Sequence, residues 1–244
     1  MTRASPGLTI EGSASLSGDT LFAPLRLDLV PGGWTCLLGG SGVGKSTLLR
    51  LIAELPTGAE FSGTIAASDG APATGRVAYM AQDDLLLPWA TVAENVALGA
   101  RLRGELSDPA RRDRMLHRVG LAAHANKTPS QLSGGQRQRV ALARTLMEDK
   151  EIILLDEPFS ALDAATRADM QGLAAELLTG RTVLLVTHDP AEAARLGHHI
   201  AVMRPGGLTH ISAPSAMPPR NVDDEETLHL QGTLLKQLMS GGAI

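Results

Sequence analysis

The sequence predicts an α/β fold: a parallel central sheet, antiparallel β strands toward the N-terminal side, and a helical insert. Three observations carry that prediction. Ile152–Leu155 and Thr182–Thr187 are continuous apolar runs bounded by polar residues, as expected of parallel strands buried on both faces. The helical stretch Ala164–Leu178 lies between them, so strand, helix and strand follow one another in a right-handed crossover. A further apolar run, Trp34–Leu38, empties into a glycine-rich loop and a helix.

The elements follow in order. Leu25, Leu27 and Leu29 alternate with Arg26 and Asp28, which predicts a half-buried strand, and Pro31-Gly32-Gly33 turns the chain. Lys45 to Leu55 has helical spacing and is stopped by Pro56-Thr57-Gly58. Gly63 to Ala67 and Arg76 to Met80 read as strands. From Thr91 to about Leu146 the pattern is mainly helical, with a helix start at Ser107-Asp108-Pro109. Ile200 to Met203, the turn Arg204-Pro205-Gly206-Gly207 and the run from Leu208 predict a hairpin. Pro214, Pro218 and Pro219 mark a loop. Glu225 to Met239 is a last helix, with acids in its first turn and Leu230, Leu234 and Leu238 along one stripe. The plan is one domain over 1–244, with a core of 1–82 and 147–244 and a helical subdomain of 83–146.

Composition narrows the function. Hydrophobic residues are 43% of the 244 and aromatics only 2%, so the core must be aliphatic. The six rings are Phe22, Trp34, Phe61, Tyr79, Trp89 and Phe159, too few for a surface built on base stacking. A net charge of −4 denies the whole chain the basic character of a duplex binder, so no nucleic-acid partner is expected. Cys36 is the single cysteine and forms no internal disulfide; no Cys/His cluster suggests zinc. The start carries no apolar signal segment, and no run of about 18 apolar residues is present. These features predict a cytoplasmic protein.

The chemistry sits at two strand ends. Gly39-Gly40-Ser41-Gly42-Val43-Gly44-Lys45-Ser46-Thr47 fits the P-loop pattern, and so a P-loop NTPase core. Glycines let backbone N–H groups converge on one anion, and the next helix adds its positive N-terminal end. Lys45 supplies a point charge for the β and γ phosphates, and Ser46 a hydroxyl for Mg²⁺, a hard cation that prefers oxygen. The second end is Asp156-Glu157, after the strand Ile152–Leu155. In an open parallel sheet ligands gather at the carboxyl ends of strands. Asp156 is placed to hold Mg²⁺, directly or through water, and Glu157 to polarise an attacking water as general base.

Leu132-Ser133-Gly134-Gly135-Gln136 resembles the signature motif of ATP-binding cassette (ABC) ATPases and sits between the P-loop and the acidic strand, as in that family. Physically it is a helix start at which Ser133, the glycines and backbone N–H groups could face phosphate. Gln82 resembles the Q-loop glutamine, Ser160-Ala161-Leu162-Asp163 the D-loop, and His188, closing the Thr182–Thr187 strand, the switch histidine. The resemblance covers roughly residues 8–210. It implies a head-to-tail dimer with itself, each ATP held between one copy's P-loop and the other's Leu132–Gln136 segment. It also implies contacts of Gln82 with ATP and Mg²⁺, Glu157 as base, and His188 on the γ phosphate. One departure stands out. The family carries an aromatic well upstream of the P-loop lysine, to stack on adenine. Here that neighbourhood is Ser13-Ala14-Ser15-Leu16-Ser17, which leaves Leu16, or a recruited Phe22, to meet the base.

The stretch Leu86-Leu87-Pro88-Trp89 followed by Thr91-Val92 and Glu94-Asn95-Val96 resembles importer ATPases of the nitrate, sulfonate and taurine group, which includes hydroxymethylpyrimidine transporters. The resemblance implies a groove here for a permease helix, a solute-binding protein in the same system, and a peripheral place on the cytoplasmic face of the inner membrane. An exporter or mechanotransmission ATPase is the alternative. A DNA-repair or chromosome ATPase would need a long coiled-coil insert or a basic face, and the chain shows neither. Arg137, Arg139 and Arg144 read as a salt-bridged helix face rather than nucleotide ligands.

Overall fold

The computed structural model describes residues 5–106 and 108–240. The chain runs β1 (Leu8–Leu16), β2 (Asp19–Leu29), β3 (Trp34–Gly39), α1 (Lys45–Ile52), β4 (Ala59–Ala67) and β5 (Val77–Met80). Then come α2 (Val92–Val96), α3 (Leu98–Leu102), α4 (Pro109–Arg118) and α5 (Gly134–Leu146). It closes with β6 (Ile152–Asp156), α6 (Ala164–Leu177), β7 (Thr182–Thr187), α7 (Pro190–Leu196), β8 (His199–Arg204), β9 (Gly207–Ile211) and α8 (Glu225–Ser240). A three-stranded antiparallel sheet has the order β2-β1-β4, and a six-stranded sheet the order β5-β6-β7-β3-β8-β9. β3 lies between β7 and β8, parallel to both, and β6 is parallel to β7. That central place explains why every residue of β3 is buried. β9 returns antiparallel to β8, the expected hairpin.

The chain divides into two compact units, Met1–Tyr79 with Lys150–Asp156 and Thr179–Ile244, and Met80–Asp149 with Glu157–Leu178. The second unit takes in 157–178, beyond the 83–146 insert drawn from the sequence, because α6 packs on α5. In the first unit an aliphatic core joins both sheets and α1, with Ile10, Leu27, Leu37, Leu48, Leu49, Leu154 and Leu184 at its centre. Phe22 gives that cluster its one fully buried ring among the described residues. α1 ends at Ile52, short of the expected Leu55. Glu54 takes a left-handed turn (φ 56°), and Leu55 N–H and Glu54 N–H close on the carbonyls of Arg50 and Leu51. At the other end, buried Arg220 donates to the carbonyls of Ala194, Gly197, Pro214 and Ala216, which pins the C-terminal segment beside α7. α8 then packs on α7, and its Leu230 and Leu234 are buried. Cys36 is fully buried in β3, and burial pushes its thiol well above the usual range.

In the second unit the helical stretch is cut into four helices and two short turns, Ala122–His124 and Pro129–Gln131. Asp108 caps α4 by accepting from Arg111 N–H (2.9 Å); Ser107 of the expected start lies outside the described residues. Among the described residues no helix is long and apolar enough to cross a membrane.

Candidate functional site

In the first unit, β3 opens into a loop that only glycine permits at two points. Gly42 (φ 80°) and Gly44 (φ 96°) are left-handed, and a Cβ at Gly44 would come within 3.0 Å of the Phe22 ring. A Cβ at Gly39 would stand 2.7 Å from the Met203 carbonyl oxygen. Lys45 folds back, its Nζ donating to the carbonyls of Gly39 (2.9 Å) and Gly40 (2.7 Å). Gly40, Ser41 and Gly42 are exposed; Val43, Ser46 and Thr47 are half-buried. No side chain caps the start of α1 and its first turn holds no acid, so the positive end of the helix stays available to an anion. A glycine cradle, a buried lysine at its base and an uncapped helix start together fit a polyphosphate.

Asp156 closes β6 and is 2% exposed; Tyr79 Oη donates to its Oδ2 (3.4 Å). Burial, then the nearby carboxylate, push the Tyr79 hydroxyl up to about 12, so it stays a protonated donor. Ser46 and Asp156 offer the oxygen ligands a magnesium ion accepts, and this ion needs few protein ligands when phosphates supply the rest. His188 follows β7 and is exposed. Behind it buried Glu192 accepts from Thr187 Oγ1 (2.7 Å), which accepts from Asp189 N–H (3.0 Å), and Asp189 caps α7. The turn that presents His188 is therefore fixed on both sides.

The second unit holds the other residues. Glu157 is left-handed (φ 49°), a conformation that a non-glycine residue holds only where its surroundings enforce it. The enforcing partners are visible: Gln138 Nε2 (2.9 Å) and Ser160 Oγ (3.1 Å) both donate to its carbonyl, and Gln82 Nε2 lies 3.5 Å from its carboxylate. Gln138 also accepts from Ala161 N–H (2.7 Å), tying the 157–161 turn to α5. Ser133 starts α5 through a reciprocal box: its hydroxyl accepts from Gln136 N–H, and the Gln136 side-chain Oε1 accepts from Ser133 N–H. Leu132 is buried, and Gly135 lies so close to the Ala161 carbonyl that a Cβ there would stand 3.2 Å from it. Asp163 caps α6 by accepting from Thr166 N–H (3.0 Å), a bond that holds its carboxyl below the usual range.

Several placements refine the sequence reading. Phe22 is fully buried beneath the loop, so it is not recruited to a base; Leu16, 44% exposed at the end of β1, remains. Gln82 stands two residues beyond β5. Arg137 pairs with Asp84 (2.9 Å), whereas Arg139 donates to the Val119 carbonyl and Arg144 to those of Asp84 and Leu85. These arginines brace loops. Tyr79, Gln138 and Glu192 carry no motif in the sequence that marks them. Gln138 had left a trace, since it opens the buried series Gln138, Ala141, Leu142 and Thr145 in α5, an odd place for an amide.

Comparison with known proteins agrees with this arrangement. The family model described as "ABC transporter" matches residues 22–160. An uncharacterised ABC transporter ATP-binding protein of Haemophilus influenzae is 46% identical, covering 93% of this chain and 95% of its own length. An aliphatic sulfonates import ATP-binding protein of Delftia acidovorans is 43% identical, covering 93% and 91%. An Fe(3+) ions import ATP-binding protein of Rhodococcus jostii is 43% identical over 88% of this chain and 65% of its own. A dimeric ATP-binding cassette solved in a post-hydrolysis state with ADP and Pi superposes with a TM-score of 0.75 at 29% identity, covering 86% of this chain and all of that one. With a phosphate cradle in place and relatives alike over nearly the whole length, this chain belongs to the ABC transporter ATP-binding proteins and is an ATPase.

Proposed function

We propose that the chain is the motor subunit of an importer, working as a head-to-tail pair that closes on two MgATP and opens after hydrolysis. In this reading residues Gly39–Thr47 hold the phosphates, and Ser46, Asp156 and Gln82 serve Mg²⁺. Glu157 activates the attacking water, and His188 meets the γ phosphate. Leu132–Gln136 of one copy, with its Asp163 turn, meets the nucleotide of the other. Magnesium, when bound, neutralises phosphate charge; the lysine and glycine loop orient the phosphates, and the Glu157 carboxylate receives the water's proton.

The importer part rests on one observation. Trp89 is 77% and Leu85 62% exposed, yet the loop that carries them is rigidly held. Fully buried Asn95 donates to the carbonyls of Leu87, Ala90 and Thr91 and accepts from Leu87 N–H, while Arg144 grips Asp84 and Leu85. Apolar side chains displayed on a braced loop suit a partner surface, here a cytoplasmic helix of a permease, which would place the chain peripherally at the membrane. Sulfonate importers among the relatives make an alkanesulfonate, with its solute-binding protein, the first cargo to assay. The test is co-purification with the permease. Trp89→Glu should abolish capture while leaving solution ATPase activity intact; unimpaired capture would remove this surface from the interface.

A further inference from the structure

Next to the signature segment stands a histidine that neither the family reading nor the proposed mechanism uses. His124 ends the short turn Ala122–His124, and its Nε2 lies 3.2 Å from Nε2 of Gln136. Two nitrogens at this distance form a hydrogen bond only if one donates and the other accepts. The orientation of the Gln136 amide decides which. Its Oε1 already accepts from Ser133 N–H (2.9 Å) in the capping box, so Nε2 is the amino group and must donate. His124 Nε2 is then the acceptor, and the ring proton sits on Nδ1. Nδ1 is buried and has no hydrogen-bond partner among the described residues. The ring thus presents its Nε2 as an acceptor to Gln136 and turns its buried Nδ1 away from it.

We propose that His124, as the neutral Nδ1–H tautomer, is a positioning residue for the signature segment. It fixes the Gln136 side chain from outside, while Ser133 fixes it from within. Both Gln136 amide atoms are then engaged, Oε1 by Ser133 N–H and Nε2 by His124, so the side chain has one orientation in which to meet the other copy's nucleotide. This inference rests on the proposed role of Leu132–Gln136, and the experiment separates the two.

In the full chain, ¹⁵N-detected imidazole spectra should show His124 protonated on Nδ1; an Nε2–H tautomer would overturn the proposal whatever the enzyme does. His124→Phe keeps a ring but no acceptor, and should lower ATP turnover about three- to tenfold. Binding of a fluorescent ATP analogue to the separate subunit should not change. His124→Gln sets a carbonyl oxygen at the reach of Nε2 and should restore turnover, a recovery that loss of packing alone does not predict. Ser133→Ala is the control for the underlying reading. If it slows turnover while His124→Phe does not, the positioning role is wrong and the signature role stands. If Ser133→Ala turns over normally, the signature reading falls, and the positioning role with it. Should His124→Phe fold poorly, the tautomer and the His124→Gln rate still decide.

Discussion

Glu157 combines a left-handed backbone with a carbonyl held by two side chains. Its left-handed backbone is strained for a carboxylate side chain, and two side-chain donors on its carbonyl keep it so. The proposed base role gives that strain a purpose, since it fixes where the carboxylate stands. Glu157→Gln should still bind ATP and still pair, while phosphate release falls by about 10²–10⁴-fold; normal turnover would move the base elsewhere. The adenine contact expected near Leu16 makes a second prediction. With Phe22 in the core and Leu16 the residue left at the end of β1, ATP and GTP should compete within about tenfold, ~1.4 kcal/mol, in a displacement titration. Strong ATP selectivity would point to an adenine contact other than Leu16. At this scale the sequence was legible where function is written in consecutive residues, as from Gly39 to Thr47. It was silent on Tyr79, whose partner Asp156 is 77 residues away, because no local pattern encodes so distant a contact.

Among the elements, the loop before α2 does most with least. Asn95, fully buried, serves as a bracket for four backbone groups; Asn95→Ala strips the Leu87 N–H and the Ala90 carbonyl of their side-chain partner and should lower stability by about 2–3 kcal/mol in urea unfolding. The same change should weaken the proposed permease capture, because the loop around Trp89 loses its brace. A stable Asn95→Ala variant with full capture would contradict both. β3, β6 and β7 were readable as unbroken apolar runs because each is buried on both faces. β1 was less readable: it holds Gly12, Ser13 and Ser15, and its register shifts against β2. A Cβ at Gly12 would meet the Ser62 carbonyl at 2.4 Å, a reason for glycine that only the paired strand reveals. The helical stretch broke into pieces at Gly104, Gly120, Pro109 and Pro129, residues visible in the sequence whose combined effect depends on how the turns pack.

For the molecule as a whole, two compact units share one chain, and stability and accessibility become global properties. Arg76 joins Asp69 (2.7 Å) and Glu151, and the guanidinium holds the Asp69 carboxyl down at about 2. The Asp28 and Asp163 carboxyls are also lowered, the first chiefly by Arg26. A depressed carboxylate contributes stability that is complete above its unfolded pKa and is lost as pH falls through the folded value. Urea midpoints should therefore hold near neutrality and decline from the ordinary carboxylate range toward about pH 2. Arg76→Ala should flatten the lowest part of that decline; an unchanged profile would exclude Asp69 as a contributor. Cys36 has a different consequence. It is the only thiol in the chain, it is sealed in the central strand, and burial keeps it protonated. Native protein should be silent to maleimide and become reactive only in denaturant. Any cysteine introduced on the surface would then carry a spin label or fluorophore alone, so motion within the proposed pair could be followed by distance spectroscopy without first removing a native cysteine.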